Sequence, residues 1–162
     1  MLEFLSLPKD FKEKDIQKQI IENLKNFILE FGRDFIFIDK EYKVQVGNDD
    51  FYIDLLFYHR ELNCLVAFEL KIGKFQPEYL GKINFYLEAL DRDVKKPHEN
   101  PSIGIILCTS YEKNVVEYSM SRNTSPTLIA EYKTKLISKD ILQNKLKEFY
   151  ELAQDNKNKE DI

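Results

Sequence analysis

Residues 51–58 and 64–71 are two runs of β-branched, aromatic and aliphatic side chains, and charge interrupts each of them: Asp54 in the first, Glu69 and Lys71 in the second. Runs of this composition and length read as strands, and strands this close in sequence pair as a hairpin. Successive side chains point to opposite faces, so Tyr52, Asp54, Leu56 and Tyr58 share one face, as do Leu65, Ala67, Glu69 and Lys71. A reversal around Glu61 and Leu62 aligns Tyr58 with Leu65, Leu56 with Ala67, and Asp54 with Glu69. Two carboxylates so placed have Cβ atoms roughly 5 Å apart and repel each other. A divalent cation is the natural compensator, because Mg²⁺ takes one or two carboxylates and completes its octahedron with water and phosphate oxygens. Lys71, on the same face, sets an ammonium beside that position, where it could orient or deprotonate a water or stabilise charge on a phosphoryl oxygen. The competing reading is a buried ion pair or a solvent-facing side of the sheet; its weakness is that one lysine does not neutralise two carboxylates.

The rest of the chain is arranged around this hairpin. Asp15 caps a helix that runs to Phe31 and stops at Gly32,. Ile16, Ile20, Leu24, Phe27 and Phe31, widened by Ile21 and Ile28, form its core stripe,. Residues 34–46 alternate as one long strand or a bent pair, and 47–50 form a turn into the hairpin, giving a three-stranded antiparallel meander. Asp49 and Asp50 read there as turn formers. A short loop over 72–75 leads to a helix that opens at Gln76 or Pro77 and runs to about Asp93, followed by a polar loop over 91–101. Residues 102–109 are apolar almost throughout, as in a strand buried on both faces. A short helix over 114–122, with Val115, Val116 and Tyr118 inward, precedes a strand over 127–132, so a crossover and a parallel pair are expected. The division is then an arm over 1–14, a domain over 15–137, an amphipathic helix over 138–154 that could pair with a second copy as a homodimer, and a polar tail over 155–162. The expected fold class is α/β: a sandwich with a mixed β-sheet, antiparallel hairpin included, flanked by helices.

At 162 residues the chain is most simply one domain,. No apolar run approaches the roughly 18 residues of a membrane span, and 1–15 lacks a leader pattern, so a cytoplasmic protein without membrane contact is expected. Cys64 and Cys108 lie in apolar runs and read as buried thiols,. His59 and His98 have no second His or Cys at ligand spacing. The formal charge of −4 bears on partners. Affinity for nucleic acid comes mainly from neutralising phosphates, so a domain with this charge binds such a partner weakly on its own.

Asp54, fourteen residues, then Glu69-Leu70-Lys71 resembles the signature of the PD-(D/E)XK nuclease superfamily. The flanking text is more specific: VGNDDFYIDLLFYHRELNCLVAFELKIGKFQPEYLGKINFYLEALD, then ENPSIGIILC and SPTLIAEY, is similar to the catalytic domain of the YhcG-type nucleases over about residues 2–136. The resemblance implies a restriction endonuclease-like fold, a metal-dependent hydrolase of phosphodiester bonds and a nucleic-acid substrate, DNA being expected. It assigns Mg²⁺ or Mn²⁺ to Asp54, Glu69 and the Leu70 carbonyl, catalysis to those carboxylates with Lys71, and an outer-shell role to an acid on the first helix, matched by Glu22. On the helical wheel Glu22 falls opposite the centre of the apolar stripe, and Asn23 is the alternative contact. Related nucleases carry Gln and Tyr one turn apart on the helix after the signature; here Lys82 and Tyr86 stand at that spacing, and with Lys74 they are the expected substrate contacts. The family also implies an N-terminal region that engages DNA, so such a region or a partner protein is expected to complete this domain. The alternative is a nuclease-fold docking or assembly subunit of a DNA defence or repair complex with little activity alone.

Overall fold

The computed structural model describes residues 13–131. Residues 1–12 of the expected arm over 1–14, residues 132–137 of the expected domain, the C-terminal helix over 138–154 and the tail over 155–162 lie outside the described residues, as do the side chains of Ile16, Ile20, Phe27 and Phe31, while Glu13 and Lys14 belong to the first helix instead of the arm.

Among the described residues, five strands form one sheet in chain order: β1 (Phe35–Val46), β2 (Asp49–His59), β3 (Cys64–Lys74), β4 (Asn100–Ser110) and β5 (Thr127–Glu131). β1, β2 and β3 are the expected antiparallel meander, whereas β3, β4 and β5 run parallel. Helix α1 (Glu13–Phe31) begins two residues ahead of Asp15 and covers one face. Its Ile21, Leu24 and Ile28 are buried against Leu55, Phe57, Val66, Phe68, Ile105 and Leu107. Helix α2 (Glu78–Ala89) covers the other, where Leu80, Ile83, Tyr86 and Leu87 pack on Leu56, Leu65, Ala67 and Ile106. β4 is apolar because both layers press on it.

The hairpin register is the expected one: Tyr58 pairs with Leu65 and Leu56 with Ala67. Polar contacts at its closed end hold that register. Asn63, in the left-handed region at φ 53°, accepts from the Tyr58 hydroxyl and donates through Nδ2 to the His98 carbonyl (2.9 Å). Asn100 Nδ2 donates to the Leu62 carbonyl (2.8 Å), and the Leu62 N–H donates to His59 Nδ1 (3.1 Å). His59 is thus the buried last residue of β2, where it accepts from the turn, and burial holds it below its usual pKa.

Several expectations need correction. The strand does not end at Lys71: an extra residue in β3 forms a bulge, Gly73 adopts φ 116°, and pairing resumes at Lys74 with Ser110,. The turn between β1 and β2 is the two residues Gly47-Asn48, with Val46 paired to Asp49, so Asp49 and Asp50 belong to β2. The helix after the site reaches about the expected end at Asp93, but its last stretch, Leu90–Val94, is a π-helical turn that overlaps the start of the expected polar loop. Asp91 in that turn accepts from the Ser102 N–H (2.9 Å), which ties it to β4. Helix α3 (Lys113–Met120) turns Tyr118 outward, 81% exposed, while Val115 and Val116 are half-buried.

Candidate active site

The alternation of β2 breaks at Asp54. Phe51 and Ile53 pack in the cluster under α2, whereas Leu55 and Phe57 pack under α1. Tyr52, 53% exposed, therefore does not share the face of Leu56 and Tyr58 as strict alternation requires. Asp54 sits at the switch, and there the β2–β3 ladder changes character. Backbone pairing runs from His59 with Cys64 to Leu55 with Phe68 and goes no further. Beyond it the carboxylates take over: the Asp54 N–H donates to Glu69 Oε1 (3.1 Å) and the Leu70 N–H donates to Asp54 Oδ2 (2.8 Å). Each acid is thus anchored by the peptide beside the other, which fixes the pair across the opening strands.

The pairing leaves the site short of positive charge. Glu69 is 3% exposed, and burial, then the neighbouring Asp54, pushes its carboxyl up to about 8. Asp54 is raised as well, again by burial first. Neither Lys71 nor Lys82 closes to direct ion-pair contact with the carboxylates among the described residues. Aromatic rings hold them instead: Lys71 Nζ lies 5.1 Å from the centroid of Tyr79, and Lys82 Nζ 5.7 Å from that of Tyr86. Burial and the positive charge of Lys82 hold Lys71 below its ordinary value. For Lys82 burial acts downward, but Glu69 and the other neighbours outweigh it and hold the ammonium above its usual range. Burial and Glu69 likewise raise Tyr86.

The structure thus brings Asp54, Glu69, Leu70, Lys71, Lys82 and Tyr86 together. Lys74 is exposed at the end of β3, past the bulge. Glu22 is half-exposed on α1, where Lys25 Nζ (2.7 Å) and, more distantly, Lys40 Nζ (3.8 Å) pair with it. The hydrogen bond from Lys25 and these charges hold its carboxyl below the usual range. Glu22 is thus engaged by Lys25 and Lys40 and makes no hydrogen bond or ion pair with the site residues among the described residues.

Glu41 is the residue that sequence reasoning missed. It lies between Lys40, paired with Leu55, and Tyr42, paired with Ile53, so its register position is opposite Asp54. Its backbone is left-handed at φ 48°, and its charge adds to the upward push on Asp54. A two-residue turn at Gly47-Asn48 predicts this register, because such turns are favoured connections between antiparallel strands.

The donor set suits a hard cation. Hydrogen bonds occupy one oxygen of each carboxylate, Oδ2 of Asp54 and Oε1 of Glu69, and the second oxygen of each has no hydrogen-bond partner among the described residues. No group of three or more His, Cys, Asp or Glu is placed to hold a metal among the described residues. Two carboxylates are what Mg²⁺ takes when water and phosphate complete its shell.

The family model described as "YhcG PDDEXK nuclease domain" matches residues 1–147. The chain belongs to this family. A YhcG relative from Escherichia coli (strain K12), described as "Putative nuclease YhcG", is 35% identical over 146 residues, a match that covers 90% of this chain and 39% of that protein. Two solved structures share the fold. A repair endonuclease from Pyrococcus abyssi aligns with TM-score 0.52 at 16% identity, over 78% of this chain and 50% of that one. The EndoMS–dsDNA2 complex aligns with TM-score 0.50 at 14% identity, over 85% and 51%. The mixed sheet flanked by helices is therefore the PD-(D/E)XK nuclease fold in this YhcG domain.

Proposed function

We propose that this YhcG domain is a metal-dependent phosphodiesterase that cleaves nucleic acid, with DNA as substrate. The observation that carries the reading is the Asp54–Glu69 pair: a half-buried and a buried carboxylate held together, each with one oxygen left over, and Lys71 alongside. Asp54, Glu69 and the Leu70 carbonyl would hold Mg²⁺ or Mn²⁺, and the bound ion would polarise the scissile phosphate and neutralise charge on the leaving oxygen. Lys71 orients the attacking water and, as the free amine, accepts its proton and becomes the ammonium. The water oxygen bonds to phosphorus as the bond from phosphorus to the leaving oxygen breaks. Glu22 acts from the outer shell, and Lys82 and Lys74 contact the substrate backbone, whereas Tyr86, expected at that contact, is buried beneath α2 and supports Lys82 with its ring.

The formal charge of −4 favours a division of labour. Affinity for the phosphate chain would come in part from an N-terminal DNA-engaging region, a partner protein or a second copy in a homodimer, since this chain spans about two fifths of the curated relative it matches,. Buried free thiols at Cys64 and Cys108 suit a reducing cytoplasm,.

The test is cleavage of a panel of plasmid, linear, single-stranded and branched DNA and of RNA with Mg²⁺ or Mn²⁺. Metal-dependent cutting that Lys71→Ala reduces on the order of 10²–10⁴-fold supports the reading. Equal cutting by both proteins places the activity elsewhere. If neither cuts even when the flanking protein is supplied, a docking subunit is the better description.

A further inference from the structure

Beyond Leu55, paired with Phe68, strands β2 and β3 part. β2 goes on pairing with β1 as far as Asp49, and β3 with β4 as far as Lys74, so the sheet forks, with Asp54 and Glu69 in the angle. Helix α2 touches both arms of the fork. The ring of Tyr79 carries Lys71 of β3, while Phe85 and Tyr86 meet Phe51 of β2 edge-on, with ring centroids 4.8 and 6.4 Å apart.

Phe85 is surplus to the packing of that helix. Leu80, Ile83, Tyr86 and Leu87 close the layer beneath α2, and Phe85 stands outside it, 39% exposed, with Phe51 half-buried behind it. Lys82, three residues back on the same face, holds its ammonium 5.7 Å from the centroid of Tyr86, so a cation and a bare ring stand side by side at the fork,. That pairing is the chemistry of single-strand recognition, in which cationic side chains follow the phosphates and aromatic rings receive the faces of the bases. Inside a duplex the neighbouring bases cover those faces, so only an unpaired or everted base can lie on a ring. Phe51 is three residues from Asp54, roughly 10 Å along the strand, close enough for a base beside the phosphate under attack to reach the rings.

We propose that Phe85, backed by Phe51, is a stacking platform for an unpaired base, which makes single-stranded DNA, or a strand opened at a fork or an end, the substrate form this site takes. This rests on the nucleic-acid reading above and narrows it.

The experiment is anisotropy titration of a fluorescein-labelled thymidine strand, and of its duplex with the complementary strand, in EDTA and low salt. The proteins are the wild type, Phe85→Leu, Phe85→Tyr and Tyr52→Leu, with circular dichroism to check folding. Tyr52, 53% exposed on the opposite face of β2 from Phe51, is the control for losing a surface ring,. Phe85→Leu should weaken single-strand binding about five- to fiftyfold, the loss of one stacked base, with duplex binding and the Tyr52→Leu protein within about twofold of the wild type. Phe85→Tyr, which keeps an aromatic face, should also stay within about twofold. A strand carrying 5-iodouracil should photocrosslink to Phe51 or Phe85, a readout that packing alone does not produce. Unchanged single-strand binding in Phe85→Leu, an equal loss on the duplex, or crosslinks confined to other residues overturns the platform, and so does a wild type that binds no single strand. The titration involves neither metal nor turnover, so these outcomes leave the Asp54–Glu69 reading standing, and that reading fails on its own cleavage test with Lys71→Ala.

Discussion

Glu69 is the side chain whose ionisation costs the metal-free fold most, and Glu69→Gln measures that cost. Its carboxyl is raised from 4.5 to about 8 by burial and by Asp54. A raised carboxyl binds its proton more tightly folded than unfolded, so its contribution to stability is whole below the unfolded value and is lost as pH rises through the folded one. Between pH 5 and pH 8, at about 1.4 kcal/mol per unit, the loss comes to about 3 kcal/mol. Glutamine keeps an oxygen to accept the Asp54 N–H and cannot ionise. Urea unfolding in EDTA at pH 5, 6, 7 and 8 should therefore show the wild type weakening by roughly this amount relative to Glu69→Gln, with the variant the more stable at pH 8. His59, depressed by burial, contributes with the opposite sign as pH rises towards its unfolded value, but equally in both proteins, so the difference between them reports Glu69 together with the relief of Asp54 beside it. Mg²⁺ should restore the wild type at pH 8 and leave the variant little changed. Parallel profiles for the two proteins would refute the account of the site as a pair of mutually repelling acids.

Three further outcomes follow from the packing. Gly104→Ala should cost about 1–3 kcal/mol, because a Cβ on β4 would lie 2.7 Å from Ile83 Cγ1 and 3.3 Å from Leu87 Cδ1 on α2; chemical denaturation reads it. Tyr118→Ser should change stability by less than about 0.5 kcal/mol, since the ring is turned to solvent, and a larger loss would restore the inward orientation expected of the helix. Cys64 and Cys108 should resist thiol reagents in the native state and react on unfolding, because burial pushes their thiols up to about 12 and about 11,; rapid native labelling would contradict the burial.

The hairpin was legible because period-two patterning and two short apolar runs admit few registers: Tyr58 with Leu65 and Leu56 with Ala67 both follow from it. The opposition of Asp54 and Glu69 followed too, but not how it is made. A pattern of side chains carries no information about where a ladder opens, so the two carboxylate–amide bonds and the switch of facing between Ile53 and Leu55 were beyond it. Tyr118 was misplaced because α3 is short and covers little, so apolar spacing does not fix which side faces in. The run-on of β3 depends on Gly73 taking a left-handed conformation against β4, a tertiary event that reads locally as a loop. Glu41 was overlooked because the turn was taken as four residues instead of two, which hides the position opposite Asp54.

The amides of Asp54 and Leu70 have a use of their own. Their acceptors are the two side chains that would grip the ion, so any change in those carboxylates is felt at once by two backbone N–H groups. The protein thereby contains a pair of native reporters, readable by amide chemical shift or hydrogen exchange without a label. The same wiring governs the choice of inactive variant. Alanine at either position deletes a strand-to-strand tether along with the charge and confounds lost chemistry with a loosened sheet, whereas Asp54→Asn and Glu69→Gln remove the charge and leave an acceptor in place.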